Sequence, residues 1–270
     1  MPNTRRISLM RDVPKRSLLP KASSMLYKLY QNNEVLFAVF WIVIYCVLLG
    51  TIRGNYGDSS IWMLVALVAI GGAATLFITH RGLGEQYGLS HWPRDTARYW
   101  FFLPVIVLAT GNLWGGFGMT YPAKLQVVAV VSMALVGYVE EVIFRGFLFT
   151  GMLKTSNVTF AIVVSALTFG IGHIVNLFTG QASVETVLQV IFAVAWGFIL
   201  TVLFYKCGSL WPCILAHSAI DVCSTFSRDN HIAAWVYICT TIVVAVVYCV
   251  YLLRLPPESR KAPTSKARQG

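Results

Sequence analysis

Long apolar runs separated by short polar stretches fill the chain from about residue 34 to residue 254. A helix needs ~20 mostly apolar residues to cross ~30 Å of hydrocarbon. Eight stretches meet that pattern, at roughly 34–53, 60–79, 99–118, 125–150, 158–178, 184–205, 209–227 and 232–254. The first, second, sixth and eighth are uninterrupted, the third contains Pro104 and Asn112, and the fourth, fifth and seventh contain ionisable residues. In lipid every backbone polar group must be bonded within its own segment, so these spans are helices. The pattern predicts an all-α polytopic membrane protein, with about eight transmembrane helices bundled around a polar intramembrane cavity.

Composition agrees with that reading. Of 270 residues, 57% are hydrophobic and 12% charged, where a soluble domain carries about 25% charged residues. Together with a mean hydropathy of +0.67, this excludes a water-soluble globule, a disordered chain and a collagen-like one. The net charge of +10 points to membrane orientation, not nucleic acid, because the cations cluster at the two ends and in alternate loops. On an eight-span topology seventeen Lys and Arg fall on the side of the termini and three on the other, with Arg145 inside a span. That asymmetry predicts an integral protein of the cell membrane with both termini in the cytoplasm. Three regions result: a basic cytoplasmic segment over 1–33 that lies against anionic lipid, a transmembrane domain over 34–254, and a polar cytoplasmic tail over 255–270 that is disordered.

Other features read as structural. The six cysteines include no CxxC pair and lie mostly in apolar runs, so no disulfide framework is expected; Cys207 and Cys213 are the least implausible pair. Trp62, Trp92, Trp100 and Trp211 sit near span ends and suit an interfacial belt, whereas Trp41 and Trp196 lie deeper and suit helix packing. His80, His91 and His231 fall at span edges or in loops.

Ionisable residues inside spans are costly and usually functional. The fourth span reads Glu140-Glu141-Val142-Ile143-Phe144-Arg145. Glu141 and Arg145 are four apart and can pair on one helix face. Glu140 is rotated ~100° from Glu141 and faces elsewhere. The simplest division makes Glu141–Arg145 a structural ion pair and Glu140 the chemical group. The fifth span carries Phe169 and His173, and the seventh carries His217 and Asp221, again four apart. Counted along their spans at 1.5 Å per residue, Glu140, His173, His217 and Asp221 share a layer near the midplane, opening toward the cytoplasm.

A Glu–His pair can deprotonate a water and deliver hydroxide to a carbonyl, and a second His or a protonated Asp can stabilise the resulting oxyanion. Ser218 lies beside His217 but points another way, and no GxSxG occurs. The same residues, Glu140, His173, His217 and Asp221, also offer the two-imidazole, one-carboxylate donor set of a catalytic zinc site. There is no HExxH, and the residues alone leave metal and metal-free chemistry open. A proton relay in a transporter and a non-catalytic immunity or scaffold protein are the competing classes; the chain has no visible internal repeat of the kind transporters use.

Glu140-Glu141-x-x-x-Arg145, Phe169-x-x-x-His173 and His217-x-x-x-Asp221, in that order, resemble the three motifs of the CPBP intramembrane proteases. That family includes the CAAX prenyl endopeptidases and bacterial bacteriocin-processing or self-immunity proteins, sometimes labelled Abi. Gly208 to Pro212 before the third motif, and Tyr87-Gly88-Leu89 in the long loop, are also typical, and the resemblance covers about residues 85–225. It implies an eight-helix bundle with a cavity open to the cytoplasm and the lipid. It further implies an endopeptidase acting on a membrane-tethered or lipidated, CAAX-like peptide, with no cofactor. Glu140 and His173 would activate the water, and His217 and Asp221 would help stabilise the oxyanion. The prenyl endopeptidases carry Asn where this chain has Asp221. An ionised Asp cannot donate to an oxyanion, so Asp221 must be protonated, orient His217 or bind a cation.

Overall fold

In a computed structural model of the chain, residues 25–179 and 182–257 are described. The lipid-facing role expected for the stretch before Met25, and the disorder expected of the tail beyond Pro257, lie outside the described residues. The helices are α1 (Met25–Asn32), α2 (Glu34–Tyr56), α3 (Ile61–Arg81), α4 (Leu103–Ala109), α5 (Ala123–Glu141), α6 (Thr150–Thr155), α7 (Val158–Gly172), α8 (Ser183–Cys207), α9 (Trp211–Ser224) and α10 (His231–Arg254). A wider π-helical stretch, Val142–Phe149, joins α5 to α6, and 3₁₀ stretches occupy Thr96–Phe102, Gly111–Leu113 and His173–Thr179.

Local sequence explains where the long helices begin. Asn33, Ser60, Asn157 and Asn230 each sit just before a helix and accept a hydrogen bond from a first-turn backbone N–H through the side chain. Such caps satisfy donors that the helix itself leaves orphaned. Exposed side chains such as Val43, Val47, Leu76 and Val246 face outward as a lipid-facing surface requires. All six cysteines are free. Trp41 and Trp196 are buried, whereas Trp62, Trp92, Trp100 and Trp211 are exposed.

Six helices among the described residues are long and apolar enough to cross a membrane: α2, α3, the continuous run Ala123–Thr155, Val158–Leu177, α8 and α10. The chain nevertheless passes eight times between two ends of the bundle. At the terminal end, Glu34 meets Lys154 and Gln86, Leu210 and Trp211 bond to the Gly88 and Leu89 carbonyls, and Lys206 Nζ donates to the Leu253 and Leu255 carbonyls. At the distal end, Arg53 reaches Asp58 and Asn176, and Gly118 and Thr120 bond to Phe226 and Thr225.

The third and seventh passes depart from the expectation of spanning helices. In the third, Trp100, Phe101 and Phe102 all adopt positive φ (49°, 51° and 59°), a conformation that disfavours continued right-handed helix. Pro104 then opens α4 in its first turn, and the helix ends after seven residues ahead of Gly111 and Asn112. In the seventh, α9 has 14 residues, about 21 Å at 1.5 Å per residue. That is too short to span, and α9 is instead packed among longer helices.

The α5–α9 packing is close because Gly137 has no side chain: a methyl there would run into the Ser218 backbone. Ser218 Oγ completes the contact by donating to the Ala134 carbonyl at 2.8 Å, which turns it away from His217 chemistry. Gly137→Ala is expected to push the two helices apart and to destabilise the protein by ~1–3 kcal/mol, read as a lower midpoint in thermal unfolding in detergent, with Gly72→Ala, whose methyl meets nothing within 4 Å, as the control.

Candidate active site

Glu140 and Glu141 are the last two residues of α5, just before the helix widens. Their ~100° separation sends them to different neighbours. Glu141 is fully buried and accepts from Arg145 Nη1 at 2.7 Å, the expected pair across one turn. Arg145, also fully buried, lies with its guanidinium 4.2 Å from the centre of the Phe169 ring, where a cation is attracted by the ring face. Glu141 Oε1 also lies 2.8 Å from His217 Nδ1. A carboxylate accepts, so Nδ1 carries the proton and Nε2 is the nitrogen turned to the cavity side.

Glu140 faces that cavity. Its Oε1 accepts from the Tyr45 hydroxyl at 2.5 Å, while its Oε2 has no hydrogen bond among the described residues and lies 3.6 Å from His217 Nε2. Asp221 Oδ2 lies 3.5 Å from the same nitrogen. His217 is therefore held by Glu141 on one side and flanked by Glu140 and Asp221 on the other. Of the three roles open to Asp221, orienting His217 is the one this contact supports.

His173 stands at the end of α7, where the helix tightens into 3₁₀ form. Its Nδ1 lies 3.1 Å from the Phe169 carbonyl oxygen. That oxygen can only accept, so Nδ1–H donates and Nε2 keeps its lone pair. The Phe169 ring stands edge-on to both imidazoles, 5.3 Å from His173 and 5.5 Å from His217. All four expected groups, Glu140, His173, His217 and Asp221, line one cavity of about 730 Å³, within the usual range for small-molecule and peptide sites.

No group of three His, Cys, Asp or Glu side chains among the described residues could hold a metal ion. His217 Nε2 faces Glu140 Oε2 and Asp221 Oδ2, and the Phe169 ring contacts both His173 and His217.

The cavity opens at the distal end, which corrects the expected opening toward the side of the termini. Arg53, Gly57, Asp58, Asn112, Asn176 and Ser224 line its outer part, and all belong to that end. At the terminal end Phe37, Trp41, Phe77 and Tyr87 pack around buried Phe147, and none of these five lines the cavity. Residue counting along spans yields depth, but it does not reveal which end such a plug fills.

Residues 122–223 match the family model described as type II CAAX prenyl endopeptidase Rce1-like. That part of the chain is similar to this family, which supports a CAAX protease assignment. The matched segment holds all three motifs, from Glu140 to Asp221. No curated protein and no solved structure gives a match. The Rce1-like match and the six long apolar helices support an integral membrane protein of the CAAX protease class.

Tyr45, Arg53, Asn176 and Gln189 were not singled out by sequence reasoning, yet all four line the cavity. A signal existed for the first two: Trp41, Tyr45, Leu49 and Arg53 recur every four residues and so mark one face of α2. Removing one partner of a buried ion pair strands the other at a cost of ~3–5 kcal/mol. Arg145→Met should therefore lower stability by about that amount in denaturant titration, and adding Glu141→Gln should recover part of the loss by removing the stranded charge.

Proposed function

We propose that this Rce1-like protein is an intramembrane endopeptidase of the glutamate type, hydrolysing a peptide bond of a membrane-tethered chain with a water activated by Glu140 and His173. The observation that supports this most is the asymmetry of Glu140, one oxygen anchored by Tyr45 at 2.5 Å and the other without a hydrogen bond beside His217.

In this reading a water sits between Glu140 Oε2 and the lone pair of His173 Nε2. Glu140 takes one proton from it as general base. The hydroxide oxygen bonds to the peptide carbonyl carbon, and the carbonyl π electrons move onto its oxygen. His217, protonated at Nε2, donates to that oxyanion, with Glu141 and Asp221 holding the imidazole in place. Collapse of the tetrahedral intermediate breaks the C–N bond, and the proton held by Glu140 passes to the departing amine nitrogen. Tyr45 is a positioning residue for Glu140, and Phe169 is a spacer between the two imidazoles. Asp221, where the prenyl endopeptidases carry Asn, acts through His217 and does not donate to the oxyanion.

The test is cleavage of a panel of membrane-tethered and prenylated peptides by the purified protein. Glu140→Gln is expected to lower kcat by at least about a hundred-fold, the usual share of a general base. Tyr45→Phe, which removes a hydrogen bond to a charged group worth ~1.5–3 kcal/mol, is expected to lower kcat about ten- to a hundred-fold with KM nearly unchanged. Activity should survive a chelator. Cleavage that persists in Glu140→Gln, or that a chelator abolishes and zinc restores, would overturn the mechanism.

A further inference from the structure

The cavity reaches one end of the bundle, aromatic packing fills the other, and the two ends differ in charge. The mouth lies among residues of the α2–α3 turn, the segment before α5, the end of α7 and the end of α9. The plug lies beside α1, the Tyr87 loop and the start of α2, on the end where both described termini lie. Among the described residues, seven Lys and Arg of loops and helix ends lie at the terminal end, and three, Arg53, Lys124 and Arg228, at the mouth end. Hydrogen bonds across each end fix this division independently of span counting. Lys154 pairs with Glu34, and Arg98 and Lys206 donate to carbonyls at and just beyond the end of α10, whereas Arg53 reaches Asn176 and the Arg228 N–H bonds to Gly116. Cation-rich ends of polytopic proteins stay in the cytoplasm.

We infer that the cavity is entered from the extracytoplasmic side, so its substrate is a peptide segment of an exported or outer-leaflet-anchored chain, not a prenylated C-terminus on the cytoplasmic face. The rim suits that access. Arg53, with its side chain about one-third exposed, is held by Asp58 at 2.6 Å and by Asn176 at 2.7 Å, and Asn176 donates on to Gln189 at 2.7 Å. This polar collar leads inward to Glu140 and gives a peptide backbone, and the water its hydrolysis consumes, a hydrogen-bonding path from the aqueous phase. The substrate half of the inference rests on the proteolytic reading above; the sidedness does not.

The experiment is labelling of single introduced thiols with a membrane-impermeant maleimide, in intact cells and in inside-out vesicles, after subtracting the signal of the unmodified chain with its own cysteines. Asn55→Cys and Asp229→Cys report on the mouth end, Asp95→Cys and Thr155→Cys on the terminal end; all four positions are exposed, and two per end keep the test decisive if one variant fails to accumulate. Ser224→Cys reports on the cavity itself. Asn55→Cys, Asp229→Cys and Ser224→Cys should label at least about ten-fold more in intact cells than the terminal-end pair, with the order reversed for the surface positions in inside-out vesicles. Labelling of the mouth-end pair only in inside-out vesicles, or of Ser224→Cys only from the side of Thr155→Cys, would overturn the inference. These readouts need no turnover, so loss of the proteolytic reading through the Glu140→Gln experiment would leave them standing, and the reverse also holds.

Discussion

The buried Arg145–Glu141 pair constrains the rest of the site. A charge inside a membrane protein is tolerated only when it is compensated, and here both partners are fully buried at 2.7 Å. Neither can relax to water, so the surroundings are arranged around them. The helix widens immediately after Glu141, the guanidinium lies on the Phe169 ring, and the remaining acceptor capacity of Glu141 Oε1 goes to His217. That last bond ties α9 to α5, which is possible because Gly137 lets the two helices approach. One ion pair thus fixes the orientation of an imidazole on a different helix, 76 residues away in the chain.

Adjacent glutamates are not redundant in this arrangement. The rotation between neighbouring helical positions commits Glu141 to Arg145 and His217 and releases Glu140 to the cavity, where Tyr45 holds one of its oxygens. The first carboxylate has every strong partner it can use on one oxygen; the second is anchored from one side only. In the proposed reaction that difference separates the positioning group from the base, without any difference in residue type.

Contacts within one helical turn were legible in the sequence, and contacts between helices much less so. The Glu141–Arg145 and His217–Asp221 pairs follow from four-residue spacing, and both meet as that spacing predicts. Local pattern does not extend to Tyr45–Glu140, 95 residues apart, where a tyrosine in an apolar helix looks like ordinary packing until its hydroxyl is given a partner. Apolar content likewise identified all six long helices but not the shape of the two other passes. Residues 99–118 and 209–227 are apolar enough to cross, yet a left-handed turn at Trp100–Phe102 breaks one and α9 stops after 14 residues. Hydropathy reports the solvent a segment tolerates; backbone geometry decides whether it runs straight through.

The short seventh pass is what makes a cavity possible. A full-length helix in place of α9 would continue past Ser224 and fill the space between α8 and the distal half of α5. Because α9 ends there, one wall of the bundle lacks its outermost turns, and on the same side α7 tightens into a 3₁₀ stretch at His173. Asp221 and His173 consequently lie near the ends of their helices with His217 one turn deeper, while Phe147 and its aromatic neighbours fill the other end. Hydrolysis needs water, and water in lipid needs a polar route. In this architecture the terminated helices supply both the route and the reactive groups at its inner end, so the departures from a regular bundle of eight spanning helices are the features on which the proposed chemistry depends.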